Sequence, residues 1–215
     1  CATAVVADPK PTIGSRSKTS YGVFAIIPNQ PMDFGISYKN TGNIPMSNVV
    51  TVDPVDPTAP GNPFDLVSLT EITTSKSVAA TIEVWDPTAG SGGAYVAYDK
   101  SNAALLARAK GLRVTQTGNL DPGSTFNIYY TVMLRDSAPD GATFRNCAAM
   151  GVGTPNAADP VCNRDDVTVV RTPSANASLT KVIDPTTITR PGPGIAPQTL
   201  QVRHGLVNTG TYNLS

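Results

Sequence analysis

The side chains with chemistry to offer are few. Cysteines stand at positions 1, 147 and 162. Cys147 and Cys162 flank a Gly/Pro/Ala-rich stretch, GVGTPNAADP. With a single histidine and no C-x-x-C spacing, a zinc site would lack ligands. The pair is expected to form a disulfide between neighbouring strands, worth about 3 kcal/mol in the chain-entropy picture. Aspartates gather in two places, Asp53 with Asp56 and Asp159 with Asp165 and Asp166. Calcium needs roughly six to eight oxygens in a defined geometry, and no EF-hand or nonapeptide spacing is present. Turn formation by Asp before Pro accounts better for these groups. Trp85, Tyr95 and Tyr98 lie close in sequence. Exposed, they would suit a sugar-stacking or protein-binding patch; buried, they would be core. Asn176 and Asn213 open N-x-S sequons, which matter only in a host that glycosylates them. There is no G-x-S-x-G and no P-loop, so no enzyme is read from the motifs and no cofactor is implied.

These residues must be positioned by strands. Period-two alternation puts Met32, Phe34, Ile36 and Tyr38 on one face, and Phe126, Ile128, Tyr130, Val132 and Leu134 on one face of a second segment. Shorter strands are predicted at 48–53, 64–72, 80–86, 111–117, 142–150 and 167–171. Turn signals rich in Asn, Asp, Pro and Gly separate them. One segment, SNAALLARAK (101–110), reads as a short helix with Ser101 as N-cap and Gly111 as its stop. The spacing predicts an all-β sandwich with one enlarged connection over about 54–110.

Composition narrows the partners. Lys+Arg and Asp+Glu are both 16, so no net field would draw nucleic acid or an anionic membrane. Charged residues are only 15% and hydrophobics 40%, which allows a real core. No apolar run is long enough to span a bilayer. An export signal is expected upstream of Cys1.

Self-comparison reveals a repeat. SRSK at 15–18 resembles SLTK at 178–181, NTG at 40–42 recurs at 208–210, and Cys1 matches Cys162. The order Cys, Lys, Gln, alternating strand, NTG is kept in both copies. This predicts the tail of a preceding repeat or linker at 1–14, one complete repeat at 15–171, a linker at 172–178, and the first strands of a second repeat at 179–215. Those strands cannot bury their apolar faces alone and are expected to need more chain or another subunit. His204 takes the place of Ile36, which predicts a packed or interface histidine. Cys1 would close a preceding repeat; a lipidated N-terminal cysteine is the rival reading.

The segments SRSKTS, ISYKNTGNIPMSNVVTVDP, GNLDPGSTFNIYYTV, FRNCA and ASLTKVIDP resemble a conserved repeat of bacterial surface proteins, the domain of unknown function numbered eleven in its series. The resemblance covers most of 15–171 and the start of the next copy. It implies an immunoglobulin-like sandwich displayed in tandem at the cell surface, as adhesin or stalk. The insert at 54–110 and the Cys147–Cys162 pair depart from the simple repeat. Some bacterial surface sandwiches of similar kind link a first-strand Lys to a late-strand Asn through an isopeptide bond, with a buried carboxyl assisting. Carried over, the residues are Lys18, Asn146 and Asp53. Burial would lower the lysine's pKa and raise the carboxyl's. The plainer reading is a solvated Lys18, a backbone-bonded Asn146 and an Asp53 that caps a turn.

The resulting expectation is an extracellular structural or adhesive module whose partners are neighbouring repeats or subunits. The alternatives are a glycan- or protein-binding module built on the insert, and a subunit of a strand-exchange polymer.

Overall fold

The computed structural model describes residues 8–21, 24–171, 177–184 and 201–208. Cys1, the sequon residues Asn176 and Asn213, and most of the linker expected at 172–178 lie outside them. The chain divides into two compact units between Arg171 and Thr172.

The first unit is an all-β sandwich. One sheet has the order β1 (Ile13–Tyr21), β3 (Met32–Asn40), β9 (Thr125–Leu134), β5 (Val67–Thr74), all antiparallel. The facing sheet runs β12 (Val161–Cys162), β11 (Cys147–Val152), β4 (Val49–Asp53), β8 (Leu112–Gln116), β6 (Ala80–Asp86), β7 (Ala94–Ala97). A small third sheet joins β10 (Thr143–Phe144), β13 (Val167–Val169) and β2 (Ala25–Ile26), the last two parallel. A single apolar cluster takes residues from all three sheets, among them Phe34, Ile36, Leu69, Val84, Leu112, Ile128, Met150, Phe144 and Val167.

The alternating segments lie as their patterns require. Met32, Phe34, Ile36 and Tyr38 are buried on β3, and Phe126, Ile128, Tyr130 and Val132 on β9; Leu134, at the strand end, is half-buried. Phenols on such faces need polar partners. The Tyr38 hydroxyl donates to Gln116 Oε1 at 2.7 Å. The enlarged connection is sandwich rather than appendage: β5 pairs with β9, and β6 pairs with β8.

Three local expectations need correction. Residues 63–65 form a turn of 3-10 helix capped by Asn62, so the strand expected from 64 begins at Val67. The helix α1 spans Ala103–Arg108 and is capped by Asn102, whose side chain accepts from the Leu105 N–H at 3.0 Å. Ser101 is instead held in a turn by Asp99. Gly111 does not stop the helix, which ends at the C-cap Ala109. A Cβ at Gly111 would lie 2.9 Å from the Asp53 carbonyl oxygen, so only glycine lets β8 approach β4 there.

The second unit shows one antiparallel hairpin, β14 (Ala177–Asp184) with β15 (Gln201–Asn208). Its Leu179, Val182, Leu206 and Val207 are exposed. His204, expected to be a packed or interface histidine, is exposed opposite Lys181 and is not packed within this hairpin, which no third strand covers among the described residues.

A sealed lysine, carboxylate and asparagine cluster as candidate functional site

Lys18 sits mid-strand on β1, opposite Ile36. The strand's period two turns its side chain inward, toward the face that β3 buries. Asp53 is the last residue of β4 and shares the inward parity of Val49 and Thr51, both buried. Asn146 lies between β10 and β11. Far apart in sequence, Lys18 and Asp53 pair in the core between the sheets, and Tyr130 links Asn146 to them.

Lys18 Nζ donates to Asp53 Oδ2 in an ion pair whose two side chains are 0% and 0% exposed. The same oxygen accepts from the Tyr130 hydroxyl at 2.6 Å. That hydroxyl accepts in turn from Asn146 Nδ2 at 2.6 Å. A continuous path therefore runs from ammonium to carboxylate to phenol to carboxamide. Aromatic rings wall it: Lys18 Nζ lies 5.9 Å from the Phe34 centroid and 5.8 Å from that of Tyr130. Tyr130 stacks on Phe34 at 5.3 Å and leans against Phe64 at 6.2 Å.

Burial dominates the electrostatics. Desolvation lowers the Lys18 pKa to about 8, although the Asp53 charge and hydrogen bond pull it upward. Desolvation, with the Asp53 charge beside it, holds the Tyr130 phenol well above its ordinary value. The network leaves Asp53 Oδ1, Asn146 Oδ1 and Thr51 Oγ1 buried without partners. Each such atom costs about 1–3 kcal/mol.

Asn146 is fixed from its other side. Its N–H donates to Asn163 Oδ1 at 2.7 Å, and its carbonyl accepts from the Asn163 N–H at 3.0 Å. Next to this clasp is the Cys147–Cys162 disulfide, formed between directly opposed residues of β11 and β12 as the sequence predicts. Sequence reasoning missed Tyr130 and Asn163 as members of the site. The available signals were a phenol on an inward strand face and an Asn beside the second cysteine.

The other candidates disperse. Trp85 and Tyr95 are cross-strand neighbours on β6 and β7, in edge contact at 5.1 Å, with Arg113 over Tyr95 at 4.2 Å. Arg113 is itself held by Glu83. Burial pushes the Tyr95 phenol up to about 12. Tyr98 leaves this pair, packs against the core and accepts from the Ile72 N–H at 3.0 Å. All three are half-buried. Asp56 accepts from the Thr58 N–H and hydroxyl, an Asp turn rather than a ligand set. Among the described residues no group of three or more His, Cys, Asp or Glu could hold a metal, and no helix is long and apolar enough to cross a membrane.

Comparison with known proteins yields distant likenesses among solved structures. No family model matches the chain, so its likeness to the surface repeat rests on the motifs themselves, and no curated protein matches. Among solved structures, BcpA, the major pilin subunit of Bacillus cereus, is 11% identical with a TM-score of 0.39, covering 94% of this chain and 56% of its own. The chain thus spans about half of that pilin's length. The collagen-binding subdomain ACE19 of the Enterococcus faecalis surface protein ACE is 10% identical with a TM-score of 0.31, covering 73% of this chain and 96% of its own. AvmM, which catalyses macrocyclisation in alchivemycin A biosynthesis, is 13% identical with a TM-score of 0.36, covering 74% of this chain and 91% of its own. The activities of these proteins remain theirs.

Proposed function

We propose that the first unit is a self-crosslinking structural module of an extracellular repeat protein, closed by an isopeptide bond between Lys18 and Asn146. One observation carries this reading: the side chains of Lys18 and Asp53 are fully buried, and Tyr130 alone joins them to Asn146. A nucleophile sealed in this way is out of reach of an external substrate. Its chemistry is confined to a neighbour in the same core, where proximity replaces a second-order encounter.

The atoms balance without a co-reactant. Lys18 gives one proton to Asp53, leaving a neutral amine beside a neutral acid. The amine nitrogen forms a bond to Asn146 Cγ, the Cγ–Nδ2 bond breaks, and Nδ2 departs as ammonia carrying one lysine proton. Asp53 ends with another, and the third stays on the new amide. An ion pair with orphaned oxygens is replaced by an amide and a carboxylic acid, both neutral, which removes the cost of two buried charges. The residue is consumed, so the module turns over nothing.

The placement suits a protein under tension. Lys18 is on the first strand of the unit, and Asn146 precedes only β11, β12 and β13 among its described strands. A covalent bond between them would carry a pull applied at the ends past everything folded in between. Neighbouring repeats of the same protein are the natural partners. The exposed cross-strand pair Leu179–Leu206 on one face of the β14–β15 hairpin supports the view that further strands of its own repeat cover it.

Intact mass of the purified chain, before and after reduction and alkylation, tests the reading. A loss of about 17 Da that survives reduction, mapped to a Lys18–Asn146 peptide pair, is the expected result. A chain of full mass apart from the disulfide would sink the crosslink and leave a plain buried ion pair.

A further inference from the structure

We propose that Tyr130 is a catalytic residue of the crosslinking reaction, the general acid that delivers a proton to the departing Asn146 nitrogen. This rests on the isopeptide reading. The hydroxyl contacts both the proton store and the leaving group, at 2.6 Å from Asp53 Oδ2 and 2.6 Å from Asn146 Nδ2. Among the described hydrogen bonds it is the only group touching both.

The direction of the chain of hydrogen bonds has to reverse during reaction, and a phenol permits that. In the planar carboxamide the Nδ2 lone pair is delocalised, so Nδ2 donates and the Tyr130 oxygen accepts. Once Lys18 Nζ has added to Cγ, that carbon is tetrahedral and Nδ2 becomes an amine with a free lone pair. A hydroxyl hydrogen can rotate to suit its partner. Tyr130 then turns its O–H to Nδ2 and accepts from the protonated Asp53. Passing one proton to Nδ2 and taking one from Asp53 leaves the phenol unchanged, and Asp53 is recharged by the second Lys18 proton. Five protons, three on Nζ and two on Nδ2, end as one on the amide, three on ammonia and one on Asp53. No phenolate forms at any stage, which suits a phenol that the core holds strongly in its neutral state.

Timed cell-free synthesis followed by intact mass measures the rate of ammonia loss as the chain first folds. Tyr130→Phe keeps the ring that stacks on Phe34 and removes only the hydroxyl. The expected result is a folded protein, by near-ultraviolet circular dichroism, that crosslinks about 10²-fold or more slowly than wild type, the low end of a general-acid contribution. Crosslinking at the wild-type rate overturns the inference and leaves the isopeptide reading standing. A wild type that never loses ammonia removes that reading and this inference together. Should Tyr130→Phe fold poorly, a ring-fluorinated tyrosine placed at 130 changes phenol acidity at constant shape. A rate that shifts with acidity supports the relay, and an unchanged rate overturns it.

Discussion

The chain writes the same hairpin twice, and only one copy makes a site. In the first, β1 and β3 pair Lys18 with Ile36 and Ile13 with Asn40. In the second, β14 and β15 pair Lys181 with His204 and Ala177 with Asn208. The register is the same except for a one-residue bulge in β1 between Gly14 and Ser17. Lys181 thus stands where Lys18 stands, beside Val202 and Leu206 in place of Phe34 and Tyr38. Yet Lys18 is sealed and Lys181 is exposed. Hairpin register is therefore a local property, set by pattern and pairing. The sealed cluster is not: it needs β9, which brings Tyr130, β4, which brings Asp53, and the clasp that holds Asn146.

The sharpest way to break the comparison is to truncate each lysine in turn. Lys18→Ala is expected to abolish the crosslink and to leave the buried Asp53 carboxyl without its lysine partner. A buried polar group stripped of a partner costs about 1–3 kcal/mol before the lost crosslink is counted, several degrees in the melting temperature of a unit this size. Lys181→Ala is expected to change neither melting of the first unit nor the mass loss. Thermal unfolding and intact mass read both. Equal destabilisation by the two substitutions would mean that Lys18 is no more committed than its counterpart.

The disulfide is the next largest lever, and it tests whether position alone makes Asn146 reactive. Cys147→Ser with Cys162→Ser should lower stability by about 3 kcal/mol by releasing the loop. It should also slow ammonia loss, because the clasp from Asn163 to Asn146 adjoins the bridge. Crosslinking that proceeds at the wild-type rate in the folded double variant would show that Asn163 holds Asn146 unaided. Melting in denaturant and the timed mass assay separate the two effects.

Much of this arrangement is legible in the sequence, for definable reasons. Strand faces follow from period two, so the inward set on β3 and β9 reads directly. Lys18, Asp53 and Asn146 can be placed on a first strand, a strand end and a late segment, and the sandwich topology brings them together. What does not read is the environment each meets. Tyr130 is one of five alternating residues whose burial is evident, but the partner of its hydroxyl depends on β4 crossing nearby. The helix cap falls to Asn102 instead of Ser101 because Asp99 captures Ser101 first. Gly111 signals a helix stop by its neighbours, whereas its requirement comes from the Asp53 backbone pressed against it. His204 looks like core by alignment with Ile36, but burial needs a covering strand that pairing within one hairpin does not supply.

The smallest expected effect lies in the pH dependence of stability, and it distinguishes a buried charged lysine from a lysine already spent. In Asn146→Ala the crosslink cannot form, and Lys18 keeps its amine beside Asp53 and Tyr130. Its pKa in the folded chain is about 8, below the ordinary 10.5, because burial disfavours the ammonium. Between those values the unfolded chain binds more protons than the folded one, so stability rises with pH through that window. Below about pH 8 the lysine is protonated in both states and contributes no slope. A wild type crosslinked as proposed has Nζ as an amide nitrogen, which does not titrate. The stability of Asn146→Ala should therefore climb relative to wild type from about pH 8 to about 9.5, short of ordinary tyrosine titration. Tyr38 and Tyr130, whose phenols are raised by burial, act in the opposite sense only above that range and in both proteins. Denaturant melts at matched ionic strength give the two slopes. Parallel slopes would mean that Lys18 has the same protonation behaviour with and without Asn146, which a crosslinked wild type does not allow.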